Sequence, residues 1–170
     1  MNDLDIYLAR KASILAERRK ELAGKSGVAE ISASSYVAGV TGLRPVKMGN
    51  HTVTTDSGPA LAGHALGPSS PEMLLGALAS CLAHTYVLQA ALHNVSLEHV
   101  EITVTGSLDM ADAINPQNAK NIAIDNLAFV ADVRSSADAD VLAQLDSDVE
   151  RACAVLNTLR LAHLVERKAS

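Results

Sequence analysis

The chain has 170 residues, 48% of them apolar, so it can bury a core as one domain and is not disordered throughout. A net charge of −5, with no basic patch interleaved with aromatics, argues against nucleic acid as a partner. No apolar run follows basic residues at the N-terminus, and the chain has only two cysteines; both point to a reducing, cytoplasmic compartment. Tyr7, Tyr36, Tyr86 and Phe129 are the whole aromatic set, so the core must be aliphatic.

Asn2 to Ala23 reads as a first helix, with Leu4, Leu8, Leu15 and Leu22 on a loose apolar face and Lys11, Glu17, Arg18, Arg19, Lys20 and Glu21 on a wet one. Gly24 and Gly27 end it. Val28 to Asp56 reads as a run of strands, with turns at Gly42 and at Gly49-Asn50. Pro45 argues that its strand is at an edge or bulged. Ser57 to Ser69 is a Gly- and Pro-containing loop.

Ser70 before Pro71 and Glu72 reads as the start of the central helix, with Ser70 as cap and Glu72 complementing the helix dipole. From Met73 to Leu92 this helix is apolar on nearly every side. Such a helix is buried in a core or between two chains. Glu72, His84 and Gln89 interrupt it too often for a convincing membrane span, and no membrane partner is expected.

After Asn94 the period switches to two. Val100, Ile102 and Val104 alternate with polar residues, and Ile122 to Val133 gives a second strand with a bulge at Asp125-Asn126. Asp109 to Asn121 is a polar loop. Ser135 to Leu159 is expected to be one long helix, capped by Ser136, whose buried stripe carries Cys153. Leu159 to Glu166 is a final short strand or tail. The order predicts an α+β fold with mostly antiparallel neighbours and helices on one face of a sheet. There is no internal repeat and no domain-scale linker; residues 1–27 read as a helical extension and 28–170 as the domain.

Cys81 and Cys153 lie on apolar helical surfaces, 72 positions apart. Inert packing is the plain reading, because free cysteine is among the most buried residue types. Metal binding is disfavoured: there is no Cys-x-x-Cys or His-x-x-x-His, and His51, His64, His84, His93, His99 and His163 are dispersed. His84, one turn after Cys81 on the same face, is the only suggestive pair. Reactive thiols are the third reading, and spacing alone does not decide among them.

GPSSPEMLLGALASC, followed some 70 residues on by CAVLNTLR, resembles the OsmC/Ohr family of osmotically inducible and organic hydroperoxide resistance proteins. HTVTTD…GHALGPSSPE resembles the segment before the helix in the OsmC-like branch. The resemblance covers Val28 to the C-terminus and leaves the first helix as an added piece. It implies an OsmC-like fold, an antiparallel sheet with a long central helix, in an intertwined homodimer with active sites near the interface.

It also implies a thiol-dependent peroxidase acting on organic hydroperoxides, with Cys81 as the peroxidatic thiol and Cys153 as the resolving one. Dihydrolipoyl groups or small thiols would be the reductant, and no metal or organic cofactor is needed. A buried thiol needs a nearby cation to ionise. The family uses an arginine from the early strands, held by a glutamate at the start of the central helix. Glu72 matches the glutamate by motif. Nine residues separate it from Cys81, about 13 Å along the axis and on the far side of an ideal helix. The cysteine it serves would then be that of the partner chain. The arginine position falls near Thr41; Arg44 is the candidate, with Lys47 as substitute. Ala154 departs from the usual proline after the second cysteine. The alternative is an OsmC-like protein without peroxidase activity that binds an apolar small molecule at the dimer interface.

Overall fold

A computed structural model of the chain describes residues 2–117, 120–161, 163 and 165–168. The elements run α1 (Asp3–Leu22), β1 (Ala33–Ser35), β2 (Arg44–Met48), β3 (His51–Thr55), α2 (Ser70–His93), β4 (His99–Ser107), α3 (Met110–Ala113), β5 (Asp125–Arg134), α4 (Ala139–Ala152) and α5 (Ala154–Arg160). By internal contacts the chain divides into two units: Gly24–Gly76, and Met1–Ala23 together with Ala77–Ser170.

The larger unit is built on the second half of α2. Leu78, Leu82, Tyr86 and Ala90 recur every four residues and are buried, the stripe that a 3.6-residue period creates. Against it pack Leu145, Val149 and Cys153, again four apart, with Leu156. Val100, Ile102 and Val104 of β4 and Phe129, Ala131 and Val133 of β5 close the cluster from the sheet side. Leu82 is fully buried; truncating such a leucine to alanine typically costs about 2–5 kcal/mol. Tyr86 ties α2 to α4 by donating to Asp146 Oδ1 at 2.8 Å. Burial, then this carboxylate, pushes the phenol above its ordinary pKa.

The first helix packs on this core through Leu8, with Leu4, Ala12 and Leu15 beside it. Its start is a capping box: Asn2 Oδ1 accepts from the Asp5 amide at 2.8 Å, and Asp5 Oδ2 accepts from the Asn2 amide at 3.1 Å. Asn2 also donates to the Leu97 carbonyl, and Ser96 donates to Asp5, so this end is tied to the α2–β4 connection. α2 stops at Asn94, which takes φ +55 while the Val95 amide bonds back to Ala90 O at 2.9 Å. That is a Schellman termination with asparagine in place of glycine.

The sheets are antiparallel, as expected, but there are two of them: β1-β2-β3 in the smaller unit and β4-β5 in the larger. Register shifts between Thr105 and Ser107, where Asn126 takes φ +54. The irregularity anticipated at Asp125-Asn126 is therefore present, and it starts the strand; residues 122–124 lie outside it.

Several boundaries differ from expectation. Strand structure begins at Ala33, not Val28, and residues 36–43 turn through a 3₁₀ segment at Gly39–Thr41. β2 is the middle strand of its sheet, although it carries Pro45. The pairing of β1 ends at Val46, so at Pro45 the strand is locally an edge and the missing N–H breaks no ladder there. Gly49, at φ +57, supplies the left-handed residue that the tight β2–β3 hairpin needs. The helix foreseen over Ser135–Leu159 begins after Asp138 and is broken at Cys153, which is extended at φ −73, ψ 107. No strand follows Leu159 among the described residues; positions 162 and 164 of that expected segment lie outside them.

Candidate functional site

Cys81 and Cys153, 72 positions apart in sequence, come together in the larger unit. Cys81 lies close enough to Cys153 to help raise the pKa of its thiol. Both are free thiols, Cys81 half-buried and Cys153 buried. The placement follows from the two helices. Cys81 is one turn beyond buried Leu78 on α2, and Cys153 immediately follows α4, one turn beyond its buried Val149. Burial pushes the Cys153 thiol above its ordinary pKa; the Leu156 amide opposes the shift, and the neighbouring Cys81 adds to it. At neutral pH Cys153 is therefore protonated.

The break at Cys153 has a local architecture that the sequence did not announce. The Cys153 amide still bonds to Val149 O at 2.9 Å, so α4 finishes on it, and Cys153 O accepts from the Asn157 amide at 3.0 Å, so α5 begins from it. Asn157 Nδ2 donates to Arg151 O at 2.9 Å, satisfying a carbonyl that the break sets free. Arg160 and Glu150 bridge the same joint at 2.8 Å. The Leu156 amide faces the thiol without closing a cap hydrogen bond.

Thr85, one turn after Cys81, is buried, and its hydroxyl donates to Cys81 O at 2.7 Å. The same side chain slightly opposes the rise in the Cys153 pKa. Its position, i+4 from a cysteine on an apolar helix, was the available signal for it. His84 is exposed. Desolvation and then the charge of Lys11 hold its imidazole below the usual pKa, so it is largely neutral at pH 7. A groove of about 510 Å³ opens beside this region, lined by Leu78, Leu127, Phe129, Leu156 and Leu159, with the Glu150–Arg160 pair on its wall. Leu78 and Leu156 are each one turn from a cysteine.

Glu72 and Arg44 belong to the smaller unit and have their own partners there. Glu72 accepts from the Ser69 amide at 2.7 Å, while Ser69 Oγ accepts from the Glu72 amide at 3.3 Å. This is a capping box, and it makes Ser69, not Ser70, the cap. These bonds to Ser69 hold the Glu72 carboxyl below its ordinary pKa. Arg44 donates to Gly42 O at 3.0 Å and to Ser57 Oγ at 3.3 Å. Among the described residues it has no carboxylate partner, so the arginine–glutamate pair implied by resemblance is not closed within the chain. Lys47 is exposed.

The loop leading into α2 is organised by Asp56, which is buried. It accepts from the amides of Ser57 at 2.7 Å, His64 at 2.9 Å and Leu66 at 3.2 Å. Wrapping around it forces Ala62 and Ala65 to φ +59 and +53. Gly63 and Gly67 pass so close to Ser57 O and Thr54 O that a Cβ would lie 1.9 and 2.1 Å from them. The GHALG run is thus a backbone requirement and not merely a flexible spacer.

The sequence pattern of the family described as OsmC-like protein matches residues 63–166, more than half of the chain. The chain belongs to the OsmC-like family. Its fold is that of an OsmC-like protein from Mycoplasma pneumoniae, at TM-score 0.65 and 18% identity over 78% of this chain and 88% of that one. An organic hydroperoxide resistance protein OsmC from Legionella pneumophila gives TM-score 0.59 at 18% identity, covering 79% and 92%. An organic hydroperoxide resistance protein from Elizabethkingia anophelis gives 0.58 at 15%, covering 79% and 91%. No curated protein matches the chain.

Within this OsmC-like chain Ala154 departs from the Cys-Pro pattern, yet Cys153 adopts the extended conformation that a following proline would impose. The joint between α4 and α5 therefore does not need the proline ring to form.

Proposed function

We propose that this OsmC-like protein is a thiol-dependent peroxidase that reduces organic hydroperoxides. The observation that carries the reading is the meeting of Cys81 with Cys153 beside an apolar groove. The Cys81 thiolate attacks the terminal oxygen of the hydroperoxide. An S–O bond forms, the O–O bond breaks, and the alkoxide leaves as an alcohol after taking a proton. Cys153 then attacks the sulfenic sulfur; an S–S bond forms, and the hydroxyl departs as water with the proton of Cys153. An external dithiol, dihydrolipoyl or a small thiol, returns both cysteines to thiols by exchange. The half-exposed sulfur takes the oxidant, and the buried one, held protonated, supplies the proton and closes the disulfide.

Arg44 supplies the cation that ionises Cys81, and Glu72 orients it, in a homodimer whose second copy covers the exposed apolar surface. Arg44 retains unused donors for this role, since a guanidinium carries five. The reaction runs in the cytoplasm and uses no metal or organic cofactor. The test is turnover of cumene or tert-butyl hydroperoxide with dithiothreitol or dihydrolipoamide. Cys81→Ser is expected to abolish it, and Cys153→Ser, given hydroperoxide without added thiol, to stop after one turnover at the Cys81 sulfenic acid. Full activity in Cys81→Ser overturns the assignment.

A second reading is an OsmC-like binding protein for an apolar small molecule without peroxidase activity. The engagement of Glu72 with Ser69, and of Arg44 with Gly42 and Ser57, favours it. A co-purifying apolar ligand, together with no turnover, is its signature.

A further inference from the structure

The solvent-facing side of the β4–β5 ribbon gathers three ligating groups that the thiol chemistry leaves unused. His99 and Glu101 are two apart on β4 and so project to one face. Asp132 is the cross-strand partner of Glu101. The other face carries Val100, Ile102 and Val133 into the core. His99 Nε2 lies 3.5 Å from Glu101 Oε2 and 3.6 Å from Asp132 Oδ2. The three donor atoms all lie within 4.8 Å of one another.

These contacts are too long to be hydrogen bonds. The Nε2 atom is buried and has no hydrogen-bond partner, although the His99 side chain as a whole is 32% exposed. The two carboxylates stand directly opposite on adjacent strands, a repulsive pairing. Arg134 sits opposite His99 in register. It nevertheless makes no ion pair with either acid among the described residues. The arrangement thus gathers one imidazole nitrogen and two carboxylates around a common point.

Donors around a tetrahedral ion with bonds of ~2.0–2.1 Å are about 3.3–3.4 Å apart. The two histidine–carboxylate separations are within a few tenths of that edge. We propose that His99, Glu101 and Asp132 form a site for a divalent transition-metal ion, zinc in kind, with water as fourth ligand. Imidazole selects against magnesium and calcium, which take oxygen ligands. Two carboxylates balance the dipositive charge, and their exposed side leaves the fourth position open to water. The ion would pin β4 to β5 at the end nearest α2, whatever the thiols do.

The test titrates Co²⁺, as a visible probe for Zn²⁺, into the reduced 170-residue chain. One ion per chain is expected, with the intense visible bands of tetrahedral cobalt, displacement by Zn²⁺, and no near-ultraviolet thiolate charge-transfer band. His99→Gln and Asp132→Asn should each weaken Zn²⁺ by more than the ~10–100-fold typical of losing an outer-shell partner. The Cys81→Ser/Cys153→Ser double variant should bind as the parent does. Where far-UV circular dichroism shows that a ligand variant has not folded, Glu101→Gln replaces it with the same expectation. A thiolate band, unchanged affinity in the folded ligand variants, or no stoichiometric binding overturns the site.

Discussion

Asp56 accepts from three backbone amides at once, and this fixes the pH dependence of its loop. The bond from Leu66, followed by those from His64 and Ser57, holds its carboxyl below the ordinary value against the opposing effect of burial. A carboxylate whose folded pKa is depressed contributes stability in full above the unfolded value, about 3.9, and loses it as pH falls through the lower folded value. Asp56→Asn places an amide NH₂ among N–H donors. It is therefore expected to lower the melting temperature at pH 7 and to converge with the parent below pH 4, measured by far-UV circular dichroism. A difference that stays constant across that range would contradict the assignment. None of this was legible from HTVTTD, because the three donors come from a loop whose path the sequence does not reveal. That Cys81 and Cys153 lie on apolar faces was legible from periodicity; their proximity was not, since periodicity carries no tertiary distance.

At the scale of elements, the joint at Cys153 shows where pattern reading fails. The apolar period runs unbroken from Leu142 to Leu156, because both helices face the same core, so nothing in it marks the change of backbone direction. The marker was chemical: Asn157, whose side chain satisfies Arg151 O across the break. The conformation at Cys153 suits a following proline, and Ala154 is the first residue of α5, where an N–H is free of helical duty. Ala154→Pro is thus expected to stabilise the protein by about 0.4–1 kcal/mol through the unfolded chain. Urea denaturation checks it; a loss of stability would show that the Ala154 amide is needed. The central helix was read correctly from its uniform apolarity, and its start was misplaced by one residue because Ser69 and Ser70 are both competent caps. Only the reciprocal bond from Glu72 selects Ser69. The metal site proposed above has no linear motif, because His99, Glu101 and Asp132 are gathered by strand register.

At the scale of the whole molecule, the family and the α+β class were readable from two short motifs and the order of periods. How the apolar surface is covered was not. By length and composition α2 could cross a membrane, a test that the core helix of a soluble protein also passes; a third of its most apolar stretch is buried within the chain. Leu74 remains exposed, as do Val28, Ile31, Tyr36, Val37 and Val40 in the smaller unit. The homodimer proposed above would give these side chains a partner, since large contiguous apolar patches mark surfaces that meet another protein.

If a second copy of the chain is what meets them, dilution acts as a denaturant. Each tenfold fall in protein concentration then removes stabilisation by mass action, and the melting temperature follows it downward. Scanning calorimetry over two decades of concentration would display that slope, and a melting temperature indifferent to concentration would assign these apolar side chains some other neighbour.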